Sequence, residues 1–201
     1  MPEIKPDEYM PRILTLDQQR AVLEQIPEHE RGIFYALAIG LRPGEARALD
    51  RAHVEHDGDR YYLRVECAAK GGSSRAPIRG TKSGKVRRLP VSAELEEWLQ
   101  RHYHDPKAFG ATPLFKNPRT RDRWSHWALW SRWKAAAEAV GVDAGLYTGT
   151  RHTFATAALA AGVGDRALQG FLGHSDPKMT EKYAKLQPNA LVRVVDLLKK
   201  K

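Results

Sequence analysis

Four segments of the chain carry basic or nucleophilic side chains at positions suited to work on a phosphate. In the first, Arg42 stands in Gly-Leu-Arg-Pro-Gly-Glu, directly before a helix that Pro43 is expected to begin. The free N–H groups and the dipole of a helix N-terminus favour an anion, and a guanidinium beside them can clamp a phosphate through two parallel bonds. An ordinary ion pair of Arg42 with Glu45 or Asp50 explains the same residues, so this segment alone decides nothing.

The second segment is a glycine-rich basic stretch from Ala68 to Lys85, which the sequence predicts to be a mobile loop between strands. A lysine such as Lys82, at the tip of a loop, can swing toward a ligand and deliver a proton. The alternative is an exposed basic hairpin that only keeps the surface soluble. The further basic residues of this region are candidates for contacts with a polyanion: Lys70, Arg75, Arg79, Lys85 and Arg87.

The third segment, Thr-Gly-Thr-Arg-His-Thr-Phe-Ala, places Arg151 and His152 in the first turn of a predicted helix. Such a turn can share an anion with side-chain donors. Two structural roles explain these residues equally well. Arg151 can cap a neighbouring helix, and His152 can be a hydrogen-bonded, partly buried imidazole.

In the fourth segment, a tight turn between two predicted helices holds a histidine. Gly173 suits the end of one helix, and Asp176 with Pro177 begins the next, so His174 lies in the turn between them. Tyr183 follows two turns into the second helix. Read alone, Tyr183 is better explained as a core tyrosine of an amphipathic helix.

The elements that position these segments are mainly helical. Hydrophobic periodicity and capping residues predict helices over residues 15–26, 31–40, from 43 onward, 92–103, 123–140, 150–161, 165–172, 176–186 and 188–198. Asp57-Gly58 predicts a hairpin between strands at 53–55 and 61–65, and a third strand is expected over 86–91. The prediction is an α+β, mainly α-helical fold with a small three-stranded antiparallel sheet. A tryptophan series at 124, 127, 130 and 133 is expected to be a core-facing helix face rather than a base-stacking platform.

Length and composition limit the class of protein. A chain of 201 residues suits one domain, which we place at residues 15–201 after a linker or truncated end at 1–14. The formal charge of +9 favours a polyanionic partner, with nucleic acid first. The single cysteine, Cys67, excludes an intrachain disulfide and a multi-cysteine zinc site, and we expect it to be a small buried hydrophobe. No run approaches the roughly 20 apolar residues of a membrane span, so we expect a soluble, unexported protein.

Taken together and in order, the four segments resemble the catalytic domain of the tyrosine recombinases of the phage integrase type. The resemblance runs from about Thr15 to Leu198. It implies the tyrosine recombinase catalytic-domain fold and five catalytic residues: Arg42, Lys82, Arg151, His174 and Tyr183. Glu45 resembles the acidic residue that follows the first arginine.

One position departs from the family pattern. Three residues before the second arginine the family generally has a histidine, sometimes a lysine, and this chain has Thr148. A threonine can hydrogen-bond a phosphate but carries no charge and moves no proton near neutral pH. His152 is a nearby candidate for support of the pocket, although its place one residue past Arg151 turns it elsewhere on a helix.

The resemblance implies a site-specific DNA recombinase that cleaves and rejoins double-stranded DNA through a 3′-phosphotyrosyl intermediate, without metal or other cofactor. It also implies a homo-oligomer, a tetramer on DNA when full length, in the cytoplasm and associated with the nucleoid. The family usually carries a separate N-terminal DNA-binding domain, and this chain begins where that domain would end. The last helix is expected to dock in its own domain or in a neighbouring protomer. The alternatives are a catalytically impaired DNA-binding member of the same fold and, more remotely, a basic regulator or RNA-binding domain.

Overall fold

The computed structural model describes residues 13–81, 84, 86–102 and 112–173, which form mainly helices together with two small sheets. The helices are α1 (Leu16–Glu24), α2 (Arg31–Ala38), α3 (Pro43–Ala48), α4 (Ala93–His102), α5 (His126–Ala139), α6 (Thr153–Ala160) and α7 (Asp165–Leu172). The strands are β1 (Val54–Asp57), β2 (Arg60–Val65), β3 (Cys67–Ala69), β4 (Ile78–Gly80) and β5 (Arg87–Pro90). The helices predicted over 176–186 and 188–198 lie outside the described residues.

The larger sheet confirms the predicted three-stranded antiparallel arrangement. Its order is β1-β2-β5, with Val54 opposite Leu63 in one pair and Leu63 opposite Leu89 in the other. The second sheet was not predicted, because β3 and β4 divide the stretch that the sequence indicates as a loop. Strands of three residues are too short to show the alternation that identifies a strand in sequence.

The chain folds locally where its capping residues predict. At the start of α1, the Thr15 hydroxyl accepts the N–H of Gln18, and the Gln18 side chain accepts the N–H of Thr15 in return. Pro43 occupies the first turn of α3, where a missing N–H costs nothing. These caps fix where α1 and α3 begin, and α3 carries the first of the candidate arginines at its N-terminus.

The core contains only half of the tryptophan series. Trp124 and Trp133 are 3% and 1% exposed, whereas Trp127 is 70% and Trp130 is 43% exposed. A helix advances about 100° per residue, so Trp127 and Trp133 lie about 120° apart around α5 and cannot share one face. The prediction of a single core face was therefore wrong for Trp127 and Trp130.

The segment before α6 forms a π-helical turn, Thr148–His152, instead of the regular helix predicted from residue 150. Its carbonyls bond outside the usual helical ladder. Gln19 Nε2 donates to the carbonyls of Gly149 and Thr150 at 2.8 and 3.2 Å, and Gln19 itself is buried. Single π turns recur at functional sites because they reorient a side chain. This turn carries Arg151 to the interior.

Within the described part of the chain, none of the helices has the length and apolar character needed to cross a bilayer. Cys67 is half-buried, with Sγ 3.7 Å from the Ala48 carbonyl, and burial raises the pKa of its thiol. Cys67 is thus less buried than predicted.

Candidate active site

Arg42 lies at the N-terminus of α3 and is held by Glu45. Its backbone N–H donates to Glu45 Oε2 at 2.9 Å, and its Nη1 donates to Oε1 at 3.0 Å. Glu45 is 2% exposed, while the Arg42 side chain keeps 34% of its surface exposed. The Arg42–Glu45 ion pair, which was the alternative explanation from the sequence, is present, and it leaves Arg42 accessible to a ligand. Asp50 pairs with Arg123 instead.

Arg151 leaves the π turn and enters the interior, where it is 2% exposed. Its Nη1 donates to the carbonyl of Gly40 and its Nη2 to that of Leu172, at 2.7 Å. Gly40 has φ +101°, and a Cβ there would lie 2.8 Å from a methyl of Leu172, so only glycine permits this approach. Arg151 does cap neighbouring elements, as the structural alternative held.

One backbone carbonyl draws the two arginines together. Leu172 O accepts from Arg42 Nη1 at 3.2 Å as well as from Arg151, and Gly173 O accepts from Arg42 Nη2 at 3.3 Å. Burial, and then the repulsion from Arg42, lower the pKa of Arg151 to about 10. Two cations held this close favour an anion between them. The sequence segments at Arg42 and Arg151 therefore share one site.

Arg87 joins this cluster, although the sequence placed it among the surface contacts to a polyanion. It is 9% exposed, its Nη1 donates to Leu172 O at 2.6 Å, and its Nη2 lies 2.9 Å from Glu45 Oε1. Burial lowers the pKa of its guanidinium, and Glu45 partly offsets that effect. The sequence signal that could have found it is alternation along β5, which turns Arg87 and Leu89 to one face and Arg88 to the other.

Thr148 lies at the edge of a groove of about 580 Å³ that also touches the first turn of α3 through Pro43 and Gly44. Its carbonyl accepts the Thr153 hydroxyl at 3.0 Å. His152 is exposed, and its ring packs edge-on against Tyr147 with 5.0 Å between centroids. Arg151 is buried and His152 is exposed, so the two neighbours face different ways, as the helical geometry predicted.

Three of the expected polyanion contacts are exposed: Lys70, Arg75 and Arg79. The loop that follows Lys70 is fixed by a residue that sequence reasoning missed. Arg47, buried on α3, donates to the carbonyls of Gly71 and Trp124, each at 2.7 Å, and to that of Ser73. Its spacing from Pro43 gave no sign of this role, because an arginine on a short helix is usually exposed.

Four of the predicted site residues lie outside the described residues: Lys82, Lys85, His174 and Tyr183. Within the described part, no group of three or more histidine, cysteine, aspartate or glutamate side chains is placed to hold a metal ion. The described cluster is cationic, with one buried carboxylate. Such a set can neutralise a phosphate and stabilise the charge that develops when it is attacked.

The fold and the site together define a mainly helical domain with a small antiparallel sheet and a cluster of buried and half-buried arginines. The family model described as the phage integrase family matches residues 10–190. The chain belongs to the phage integrase family.

Two curated relatives illustrate the similarity. The chain is 29% identical over 209 residues to tyrosine recombinase XerC of Ralstonia pickettii, covering 96% of this chain and 62% of the relative. It is 29% identical over 182 residues to tyrosine recombinase XerA of Thermococcus onnurineus, covering 88% of this chain and 59% of the relative. The chain thus spans about three-fifths of the length of these relatives.

Solved structures share the fold. The integrase from mycobacterium phage Brujita superposes with a TM-score of 0.69 at 20% identity, covering 97% of this chain and 60% of that one. The XerA recombinase superposes with a TM-score of 0.65 at 24% identity, covering 96% of this chain and 65% of that one. These likenesses confirm the predicted tyrosine recombinase catalytic-domain fold.

Proposed function

We propose that the chain is the catalytic part of a site-specific DNA recombinase, which cleaves and rejoins double-stranded DNA through a phosphotyrosyl intermediate on Tyr183. One observation carries the proposal: Arg42 and Arg151, which are far apart in sequence, donate to the same carbonyl of Leu172. A phosphodiester fits such a place, because its charge rises from one to two in the five-coordinate transition state and two guanidiniums can meet it.

The reaction balances without cofactor. The Tyr183 hydroxyl loses its proton to water or a nearby base as its oxygen forms a bond to phosphorus. The bond from phosphorus to the 5′-oxygen breaks, and that oxygen takes a proton, for which Lys82 is the proposed donor. His174 is proposed to donate to a phosphate oxygen. The released 5′-hydroxyl of another strand then reverses the step, so the energy of the phosphodiester bond is conserved.

The proposal extends to the setting of the reaction. Double-stranded DNA is the proposed partner, bound in part by exposed Lys70, Arg75 and Arg79, with assembly as a homo-oligomer, a tetramer when full length. The proposed place of action is the cytoplasm, at the nucleoid. Relatives named as recombinases and integrases support an active enzyme, and they give no support to the impaired alternative that Thr148 suggested.

Covalent capture tests the proposal. A library of nicked duplexes with random sequence is incubated with the chain. DNA that remains attached to the protein after denaturation is recovered and sequenced. The nick lets the short 5′-hydroxyl fragment diffuse away, so the adduct accumulates. We expect the wild-type protein to capture particular, selected nicked duplexes covalently and Tyr183→Phe to capture none of them. Absence of any adduct, or an adduct with Tyr183→Phe, contradicts the proposal.

A further inference from the structure

We propose that Arg87 is a positioning residue for this reaction, one that fixes Glu45 and the end of α7 so that Arg42 meets the phosphate correctly. The proposal rests on the proposed function. Arg87 is the only member of the described cluster that comes from the sheet, and its two terminal nitrogens go to different partners. Nη1 bonds to Leu172 O at 2.6 Å, and Nη2 lies 2.9 Å from Glu45 Oε1.

The link to Arg42 runs through a single carboxylate. Glu45 Oε1 faces both Arg87 Nη2 and Arg42 Nη1, at 2.9 and 3.0 Å, while Oε2 accepts the Arg42 N–H. Because Glu45 is 2% exposed, water does not compete for these oxygens. The buried carboxylate can hold Arg42 in one orientation only while Arg87 holds the carboxylate.

The second link runs to the backbone that precedes His174. Gly173 follows the carbonyl that Arg87 contacts, has φ +68°, and would place a Cβ on the Arg87 guanidinium if it were any other residue. The need for glycine at 173 is therefore explained twice, by its conformation and by the space that Arg87 occupies. Arg87 sets the position of the peptide from which His174 continues.

Arginine is the residue type that this role requires. A planar guanidinium presents two nitrogens in a fixed fork and can reach a carbonyl and a carboxylate at once, whereas an ammonium is a single point charge. The conservative variant Arg87→Lys can keep the charge beside Glu45 but not both contacts. This variant therefore separates charge from geometry.

The test measures the single-turnover cleavage rate and the Kd of the selected nicked duplex for wild type, Arg87→Lys, Arg87→Met and the control Arg88→Met. Arg88 is the neighbour on the same strand and pairs on the outer face with Glu55 and Asp57. We expect Arg87→Met to cleave about 100-fold more slowly with its Kd little changed, because a misplaced reacting group costs about that much. Arg87→Lys should fall between, and Arg88→Met should match wild type.

Coupling to Glu45 separates positioning from folding. Rates are compared per folded molecule, with the folded fraction taken from urea unfolding. Adding Glu45→Gln to Arg87→Lys should slow cleavage much less than Glu45→Gln slows the wild type, because both changes break the same link. The proposal is overturned if the Arg87 variants cleave like Arg88→Met once folding is corrected, if the loss lies in Kd, or if the Glu45 effect is independent. Wild type without any adduct would instead overturn the proposed function.

Discussion

Two adjacent arginines of β5, Arg87 and Arg88, lie on opposite faces of the three-stranded sheet and differ in burial and in charged partners. Arg88 lies on the outer face, 38% exposed, paired with Glu55 and Asp57 and stacked 3.8 Å above the Tyr62 ring. Arg87 lies on the inner face at 8% side-chain exposure, with one shared carboxylate and a carbonyl. The outer arginine is neutralised by its neighbours and by water.

Among the residues that the structure describes, the inner cluster holds three guanidiniums and one carboxylate. Arg42 and Arg87 both pair with the Glu45 carboxylate, and Arg42, Arg87 and Arg151 all donate to the carbonyl of Leu172. The lowered pKa values of Arg87 and Arg151 follow from burial first. We expect a phosphate bound beside these guanidiniums to be stabilised by their charge.

The largest effect is expected at Arg151. Arg151→Ala removes a proposed phosphate donor, so cleavage of the selected duplex should fall about 1,000-fold. Stability should fall by about 1 to 3 kcal/mol, because the buried Gly40 carbonyl loses the Arg151 donor, while the Leu172 carbonyl keeps Arg42 and Arg87. Single-turnover kinetics measure the cleavage rate, and urea unfolding measures the loss of stability. A variant that is as stable and as active as wild type would place Arg151 outside the site.

The next effect is expected at Gly173. Gly173→Ala meets a left-handed φ, which costs about 1 to 2 kcal/mol for a residue with a Cβ, and it also displaces Arg87. Gly141→Ala is the matched control, because Gly141 has φ +67° but open space around it. Both should lose stability in urea, and only Gly173→Ala should lose cleavage beyond its folded fraction. Equal cleavage rates for Gly173→Ala and Gly141→Ala would show that displacing the Arg87 side chain does not affect the reaction.

A smaller effect, and a gain, is expected at Thr148. Thr148→His restores an imidazole where the family generally has one, and general acid–base help contributes about 100-fold at the least when it operates. The wild-type site already brings Arg42 and Arg151 together to stabilise the phosphate. We therefore expect the single-turnover rate to rise by less than about 100-fold. A fall in rate would mean that the groove beside Pro43 is shaped for a threonine.

The smallest effect is expected on the outer face. Arg88→Ala removes exposed ion pairs, which contribute up to about 1 kcal/mol and are screened by salt. Urea unfolding at low and high salt should show a small difference that shrinks as salt rises. A large loss that salt does not change would remove the contrast between the two faces.

The sequence predicted the parts that local chemistry determines. Thr15 caps α1, Pro43 begins α3 behind Arg42, and the Asp57-Gly58 turn joins β1 to β2. The segments that carry Arg42 and Arg151 come together as the family pattern implies. The caps and the turn each follow from a few neighbouring residues, whereas the meeting of Arg42 and Arg151 was expected only from the family resemblance.

The parts that were missed depend on contacts between distant segments. The π turn at Arg151 depends on Gln19 of α1, and the inward course of Arg87 depends on how β5 pairs with β2. Trp127 is exposed because α5 packs through Leu129 and Trp133 instead. A local pattern such as the alternation along β5 separates the two faces of an element, but it does not show which face the neighbouring elements will cover.

Arg42 and Arg151 are proposed to bind one and the same phosphate. A crystal structure of Tyr183→Phe bound to the selected duplex tests this proposal directly. We predict that both guanidiniums lie within about 3 Å of oxygens on the same phosphate, the usual range for a charged hydrogen bond. Guanidiniums bound to two different phosphates, or still occupied by the Leu172 carbonyl with DNA in place, would contradict it.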